Sequence, residues 1–254
     1  MEISKEFKEI ILNFNLNQLQ EIRNGVESEV DVSVYADPKY DHKQMKEIRS
    51  GLERGIDVSV YSNPKYDSKQ MAQIRIGLSH GIDVSLYSDL NYDGERMEII
   101  RQGLENGVDI SVFVNPKYDC KQIDEIRLGL EHKVDVSIFA DPKFDWFQMY
   151  QIRAGLEAGI DVSIYANSKF DSDQMNVIRR GLEAGFDVSS YANPSYSSDT
   201  MEAILSDIED AADNDMDYED VVSELRASEL EREKLEDEIR RLKEELKIAT
   251  ENIK

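Results

Sequence analysis

Cysteine and histidine are scarce in this 254-residue sequence, which has one cysteine, Cys120, and three histidines. A single cysteine excludes an internal disulfide framework. The opening MEISKEFKEIIL has charges where a secretory signal would need an apolar core. No run of about 18 uncharged apolar residues occurs, so no membrane-spanning segment is predicted. We therefore expect a cytoplasmic protein.

Basic residues are also few, with 30 Lys and Arg against 53 Asp and Glu, which gives a formal net charge of −23. Nucleic acids and anionic membranes would be repelled by this charge, so direct binding to either is not expected. The predicted partner is another protein.

Material for catalysis is limited as well. The sequence has neither a Gly-rich phosphate loop nor a combination of residues that would form a catalytic centre, so we expect no enzymatic activity and no cofactor. Cys120 lies at a predicted helix start, where a lowered pKa is conceivable, but no base lies near it in the sequence.

The strongest pattern that is present is an internal repeat of 26 residues. Glycine recurs at this interval without an insertion, at Gly25, Gly51, Gly77, Gly103, Gly129, Gly155 and Gly181. Arginine recurs in the same register, at Arg23, Arg49, Arg75, Arg101, Arg127, Arg153 and Arg179. An Asp-Val-Ser or Asp-Ile-Ser triplet follows each glycine. Such a fixed period is typical of repeat architectures.

Each copy contains the pattern of an amphipathic helix. Asp41 and Gln44, three residues apart, match a capping box, which predicts a helix from about Lys43 to Arg54. Gly55 suits the left-handed residue that follows a helix, whereas Glu29 and Lys133 replace it in two copies, where we expect strain.

A second, shorter helix is predicted after this glycine. Asp57 can cap a helix over Val58 to about Ser62, and Asn63-Pro64 would end it, because the residue before proline is disfavoured in the helical region. The alternation in IDVSVY leaves a β-strand, and with it a β–α horseshoe, as the alternative. The residues expected to stack between copies are Met45, Ile48, Leu52, Ile56, Val58, Val60, Tyr61 and Tyr66, with their equivalents.

Stacked helix pairs bury apolar faces that one pair cannot bury alone. The predicted fold is all-α, a right-handed α-solenoid of seven to eight 26-residue two-helix repeats followed by a C-terminal coiled-coil helix. The expected parts are an N-terminal capping helix (1–14), seven repeats (15–196), an acidic degenerate capping repeat (197–220) and the coiled coil (221–254).

Two recurring residues need an explanation beyond stacking. Glycine inside a helix costs about 1 kcal/mol relative to alanine, so Gly51 indicates that a neighbouring helix or ring presses on the backbone. The seven recurring arginines are predicted to form a structural ladder, with partners such as Asp57, Asp41 or a helix carboxyl end.

The acidic segment contains part of a calcium-loop pattern. Four residues fall at positions 1, 3, 5 and 12 of an EF-hand loop: Asp213, Asp215, Asp217 and Glu224. Tyr218 stands at position 6, which needs glycine, so a capping role for Asp213 is favoured over calcium.

The C-terminal segment has the four-three spacing of a coiled coil. Its predicted oligomerisation residues are Leu225, Leu235, Ile239, Leu242, Leu246 and Ile253. We expect a homo-oligomer through this helix, although pairing with a partner's helix or folding back onto the repeats is open. Ser228 and Arg232 interrupt the pattern and would limit its strength.

One copy departs from the others at outward-facing positions. DWFQMYQIR places Trp146, Phe147 and Tyr150 where other copies have small or polar residues. Their spacing of three and four puts the rings on one helix surface. Aromatic clusters are typical of binding hot spots, so these residues are the predicted partner-binding site, with packing on an adjacent copy as the alternative.

The stretch DVSIFADPKFDWFQMYQIRAGLEAGIDVSIYAN resembles tandem helical repeats of poorly characterised proteins from gut Firmicutes and their mobile elements or phages. The resemblance covers roughly Asn15 to Tyr196 and implies no enzymatic activity and no cofactor. It suggests a host-directed or defence-blocking role.

Two functions follow as hypotheses. The first is a non-enzymatic scaffold or adaptor that binds a partner protein through the solenoid surface and oligomerises through the coiled coil. The alternative is a phage- or mobile-element-encoded inhibitor, comparable to an anti-CRISPR protein, whose acidic surface blocks a nucleic-acid-binding host effector.

Overall fold

The computed structural model describes residues 13–115, 117–213, 234 and 238–243. Within these ranges all regular structure is helical, and no strand occurs. None of the described helices has the length and apolar character that a bilayer crossing requires. The long helices are α1 (Leu16–Glu27), α2 (His42–Glu53), α3 (Ser68–Ser79), α4 (Gly94–Glu105), α5 (Cys120–Glu131), α6 (Trp146–Glu157), α7 (Ser172–Glu183) and α8 (Ser198–Asp213).

The helix starts follow the capping pattern. In α2 the Asp41 carboxylate accepts hydrogen bonds from the backbone N–H groups of Lys43 and Gln44, and the Gln44 side chain accepts one from the Asp41 N–H. This reciprocal pair satisfies N–H groups that have no partner inside the helix. The predicted helix of Lys43 to Arg54 is confirmed to within one residue at each end.

In most copies the helix ends just before a glycine in the left-handed conformation, as the sequence predicts. Gly55 has a φ of 69°, and the N–H of Ile56 donates to the Gly51 carbonyl oxygen at 2.9 Å, as in a Schellman motif. Glu29 and Lys133 hold the same conformation with φ values of 58° and 62°. For a residue with a Cβ, this conformation costs about 1–2 kcal/mol of backbone strain.

The predicted second helix, over Val58 to about Ser62, is present but shorter than expected. Residues Val58–Val60 form a single 3₁₀ turn, capped as expected by Asp57, whose carboxylate accepts from the Ser59 N–H. A segment this short before Asn63-Pro64 gains too few hydrogen bonds to offset helix nucleation. Equivalent 3₁₀ turns are Val32–Val34, Val84–Leu86, Ile110–Val112, Val136–Ile138 and Val162–Ile164.

Most of the predicted stacking residues are buried, whereas Leu52 and Ile56 are partly buried. Met45, Ile48 and Tyr61 are fully buried, and Val58 is 6% exposed. Val60, which we expected in the stack, is instead 41% exposed, because it is the outward residue of the 3₁₀ turn. The apolar face of each copy is therefore built from the helix and from the two ends of the turn.

The chain divides into two compact units, Met1–Lys133 and Val134–Lys254. In the first unit α1 packs against α2, α2 against α3, α3 against α4 and α4 against α5. In the second unit α6 packs against α7 and α7 against α8. Successive packing of this kind fits a helical repeat.

Candidate partner-binding site

The aromatic cluster lies on the first turns of α6. Trp146 is the first residue of the helix, and its ring stacks on that of Phe147 with 3.5 Å between centroids and 28° between planes. Trp146 is half-buried, whereas Phe147 is 49% exposed. The adjacent Met149 and Ile152 are fully buried, so the stacking face of α6 is separate from its aromatic face.

Tyr150 lies one turn further along α6 and is 40% exposed. Its ring faces Arg153, whose guanidinium carbon lies 5.4 Å from the ring centroid, within range of a cation–π interaction. Arg153 also pairs with Glu157. The structure therefore stacks Trp146 on Phe147 and connects Tyr150 to the row of recurring arginines.

Several recurring arginines form ion pairs with glutamates rather than with the capping aspartates that we expected. Arg49 donates through Nε to Glu21 on the preceding helix at 3.0 Å and through a terminal nitrogen to Glu53 on its own helix. Arg75 bonds in the same way to Glu47. Arg23, the first of the row, pairs with Glu27 and is 71% exposed in its side chain.

The remaining arginines use related partners. Arg101 and Arg179 donate to glutamines on the preceding helix, and Arg127 pairs with Asp124. Each of these three also pairs with the glutamate four residues on: Arg101 with Glu105, Arg179 with Glu183 and Arg127 with Glu131. Arg49 and Arg153 have the same kind of partner. These contacts occupy the guanidinium groups, and their contribution to stability stays a prediction.

A recurring glutamine, predicted from the sequence only as part of a helix cap, also connects neighbouring copies. Gln44 donates through Nε2 to the carbonyl oxygens of Tyr66 at 2.6 Å and Pro64 at 3.1 Å. The same bond joins Gln18 to Tyr40, Gln70 to Tyr92, Gln148 to Phe170 and Gln174 to Tyr196. The available signal was the recurrence of glutamine directly before the buried methionine or isoleucine.

Cys120 does not have the properties of a reactive thiol. Burial raises the pKa of this thiol, and the negative charges of Asp93 and Glu95 raise it further. The conceivable lowered pKa at this helix start is therefore wrong. Within the described residues, no group of three His, Cys, Asp or Glu side chains could hold a metal ion.

Most residues of the two C-terminal predictions lie outside the described ranges. Asp213 is the last residue of α8, whereas Asp215, Asp217 and Glu224 are not described. Of the predicted oligomerisation residues, Ile239 and Leu242 lie in helical residues 238–243 and are 50% and 52% exposed. The positions outside the described ranges are Leu225, Leu235, Leu246 and Ile253.

In comparisons with known proteins, no family model, no curated protein and no solved structure matches the chain. The resemblance to Firmicutes repeats stays a prediction.

Proposed function

We propose that this protein is a non-enzymatic scaffold or adaptor that binds a partner protein through Trp146, Phe147 and Tyr150. In this proposal the copies form a right-handed α-solenoid of seven to eight repeats. The protein forms a homo-oligomer through its C-terminal helix. The observation that carries the proposal is the stacked, solvent-accessible pair of rings on α6, next to an exposed tyrosine.

The repeat does not require aromatic side chains at these positions. The residues of α7 at the equivalent positions are Ser172, Asp173 and Asn176, and α7 begins and ends at the same points of the repeat. Small and polar side chains are thus compatible with this helix. Large aromatic side chains that remain exposed contribute strongly to binding when a partner buries them.

A variant that copies α7 tests the site. Trp146→Ser/Phe147→Asp/Tyr150→Asn replaces each ring with the residue at the equivalent position of α7, so we expect normal folding. Affinity purification from the native host, followed by mass spectrometry, identifies proteins retained by the wild type. We expect the variant to lose the specific partner.

The matched control is Ser172→Ala/Asn176→Ala, which changes the equivalent surface of α7 without altering the aromatic cluster. We expect this control to retain the partner. Equal recovery of every specific partner by the wild type and the aromatic variant would contradict the proposed site.

The charge of −23 favours a second candidate, an inhibitor whose acidic surface occupies the nucleic-acid channel of a host effector. Binding of that kind weakens steeply with salt, because exposed charges are screened. Partner recovery that is unchanged between low and high salt would argue against this candidate and leave the aromatic site as the explanation.

A further inference from the structure

The 3₁₀ turns of the first compact unit carry a row of exposed aliphatic side chains. In a 3₁₀ helix residues i and i+3 lie on the same side, so Val58 and Tyr61 both face inwards, with 6% and 0% of their surfaces exposed. The two residues between them, Ser59 and Val60, face outwards, and Val60 is the apolar one. Val60, Leu86 and Val112, which share this position, are 41%, 49% and 37% exposed.

The fold does not require an aliphatic residue at this position. The seventh copy has Ser190 there, in a turn that is not a 3₁₀ helix and with its hydroxyl oxygen buried, and its neighbours Val188 and Tyr191 are still 2% and 0% exposed. A polar residue is thus compatible with burial of the flanking side chains. Repeated aliphatic residues at an outward position add exposed apolar surface without a packing need.

A carboxylate accompanies each of these side chains. Asp57, Asp83 and Asp109 cap the three turns, three residues before the aliphatic position, and all are exposed. The hydroxyl and the backbone N–H of the following serine hold the pKa of each carboxyl below its ordinary value. No lysine or arginine occurs in segments 55–62, 81–88 and 107–114 that contain the turns.

Clefts between neighbouring copies lie beside two of these carboxylates. A cleft of about 520 Å³ is lined by Asp57 and the last turn of α3, with Arg54 also lining it. An equivalent cleft of about 400 Å³ is lined by Asp109, Glu131 and Lys133. Because the last turn of a helix carries partial negative charge, each cleft combines a carboxylate with carbonyl dipoles. This environment suits a cationic side chain.

The spacing of the row indicates the shape of its ligand. Packed helices lie about 8–10 Å apart, so equivalent turns of successive copies are separated by about that distance. A polyproline-II segment advances about 9 Å in three residues. An extended segment with an apolar side chain at every third position would therefore place one apolar side chain on each turn.

We propose that the row of Val60, Leu86 and Val112 binds an extended, cationic segment of a partner protein, with apolar residues at every third position and Lys or Arg between them. The proposal deepens the proposed function and rests on it, since it names the chemistry of a bound partner. The second unit has the same pairing of exposed aliphatic and capping carboxylate, at Ile138 with Asp135 and Ile164 with Asp161.

Fluorescence anisotropy with two synthetic peptides tests this inference on the full chain. One labelled peptide repeats Leu-Arg-Lys over four triplets, and the other repeats Gly-Arg-Lys with the same charge. We expect the leucine peptide to bind the wild type at least about tenfold more tightly, because only it can bury apolar side chains on the turns. Equal affinities would overturn the proposal.

A serine variant locates the binding. Val60→Ser/Leu86→Ser/Val112→Ser/Ile138→Ser/Ile164→Ser takes the residue of the seventh copy at every turn, and we expect it to erase the preference for the leucine peptide. Leu16→Ser/Val26→Ser changes exposed apolar residues outside the row and should preserve the preference. A serine variant that keeps its preference while circular dichroism shows wild-type helicity would overturn the proposal.

A further variant tests the contribution of the capping carboxylates to peptide binding. Asp57→Asn/Asp83→Asn/Asp109→Asn keeps capping side chains, as Asn15 does for α1, and we expect it to weaken binding of both peptides several-fold. Unchanged affinity would overturn the cationic assignment. The α6 aromatic variant should bind the peptides like the wild type, so failure here and failure of the proposed partner site give different results.

Discussion

At the residue scale, Gly51 in helix α2 lies against the buried ring of Tyr61. A Cβ on Gly51 would lie 1.9 Å from the Tyr61 hydroxyl oxygen and 2.8 Å from Val58. That hydroxyl donates to the Glu47 carbonyl oxygen at 3.1 Å, and burial raises the pKa of Tyr61. The ring is thus fixed against the helix backbone.

Gly51→Ala should therefore destabilise the protein, although alanine is the better helix former. We expect overpacking of about 1–3 kcal/mol to exceed the gain of about 1 kcal/mol in helix propensity. Urea denaturation followed by circular dichroism measures the difference.

A natural variation in the repeat supplies the control. Gly103 faces Phe113, which has no hydroxyl, and a Cβ there would lie 3.0 Å from the ring. Gly103→Ala should cost less than Gly51→Ala, and Tyr61→Phe should partly rescue Gly51→Ala. Wild-type stability of Gly51→Ala would contradict the steric explanation.

The sequence predicted pressure on Gly51 from a neighbouring helix or ring, but not that the group is Tyr61. The cost of glycine in a helix signals a close approach by some group, whereas the identity of that group depends on how the turn packs back on the helix. Gln44 shows a similar limit. Its capping role follows from spacing, but its bond to a carbonyl 22 residues away does not.

At the element scale, Gln44 connects the start of α2 to the next copy. Its Oε1 accepts from the Asp41 N–H, while its Nε2 donates to carbonyl oxygens of the following loop. Gln44→Glu would keep the acceptor and replace the donor with a carboxylate oxygen facing carbonyl oxygens. We expect a loss of about 1–3 kcal/mol in the free energy of unfolding, as for a buried unsatisfied group.

Gln20→Glu makes the same chemical change at an exposed position and serves as the control. Its effect should stay within about 0.5 kcal/mol, as for ordinary surface substitutions. Similar effects of the two substitutions in urea denaturation would show that the bond between copies contributes little.

The short turns differ from the predicted second helix in length and type. Asp57 and Asn63-Pro64 were correctly identified as the start and stop signals, but the intervening length supports only a 3₁₀ turn. The same shortness moved Val60 from the expected stack to the surface. Periodicity over so few residues does not distinguish an inward position from an outward one.

The aspartate caps of these turns predict a specific dependence on acid. The hydroxyl and backbone N–H of Ser59 hold the pKa of Asp57 below its ordinary value of 3.8, and Ser85 does so for Asp83. A carboxyl whose pKa is lower in the folded state stabilises that state above its unfolded pKa. This stabilisation is lost as the pH falls through the folded pKa.

Asp57→Asn/Asp83→Asn removes the two titrating groups and keeps capping side chains. We expect the stability difference between wild type and variant to be constant near neutral pH and to shift against the wild type as the pH falls below about 4. Urea denaturation at several pH values, in about 0.5 M salt to screen the net charge, measures this difference. Parallel pH curves would contradict the role of the caps.

At the scale of the whole molecule, the described contacts within each unit connect a copy to its immediate neighbour. Arg49 reaches back to Glu21 on the preceding helix, and Gln44 reaches forward to the loop of the following copy. Stability in such an array is approximately a sum of nearest-neighbour contributions. A surface residue can therefore change without disturbing the fold, which leaves outward positions available for binding.

The last prediction concerns two apolar residues in the C-terminal helical residues 238–243. Ile239 and Leu242 are about half exposed, and burying them in a coiled coil would remove this surface from water. We expect Ile239→Asp/Leu242→Asp to convert an oligomer to single chains of 29.2 kDa in light scattering. Lys234→Gln/Lys243→Gln makes the same change in net charge at exposed positions and should remain oligomeric. A wild type that is already a single chain, or an aspartate variant with the wild-type mass, would contradict self-association through this helix.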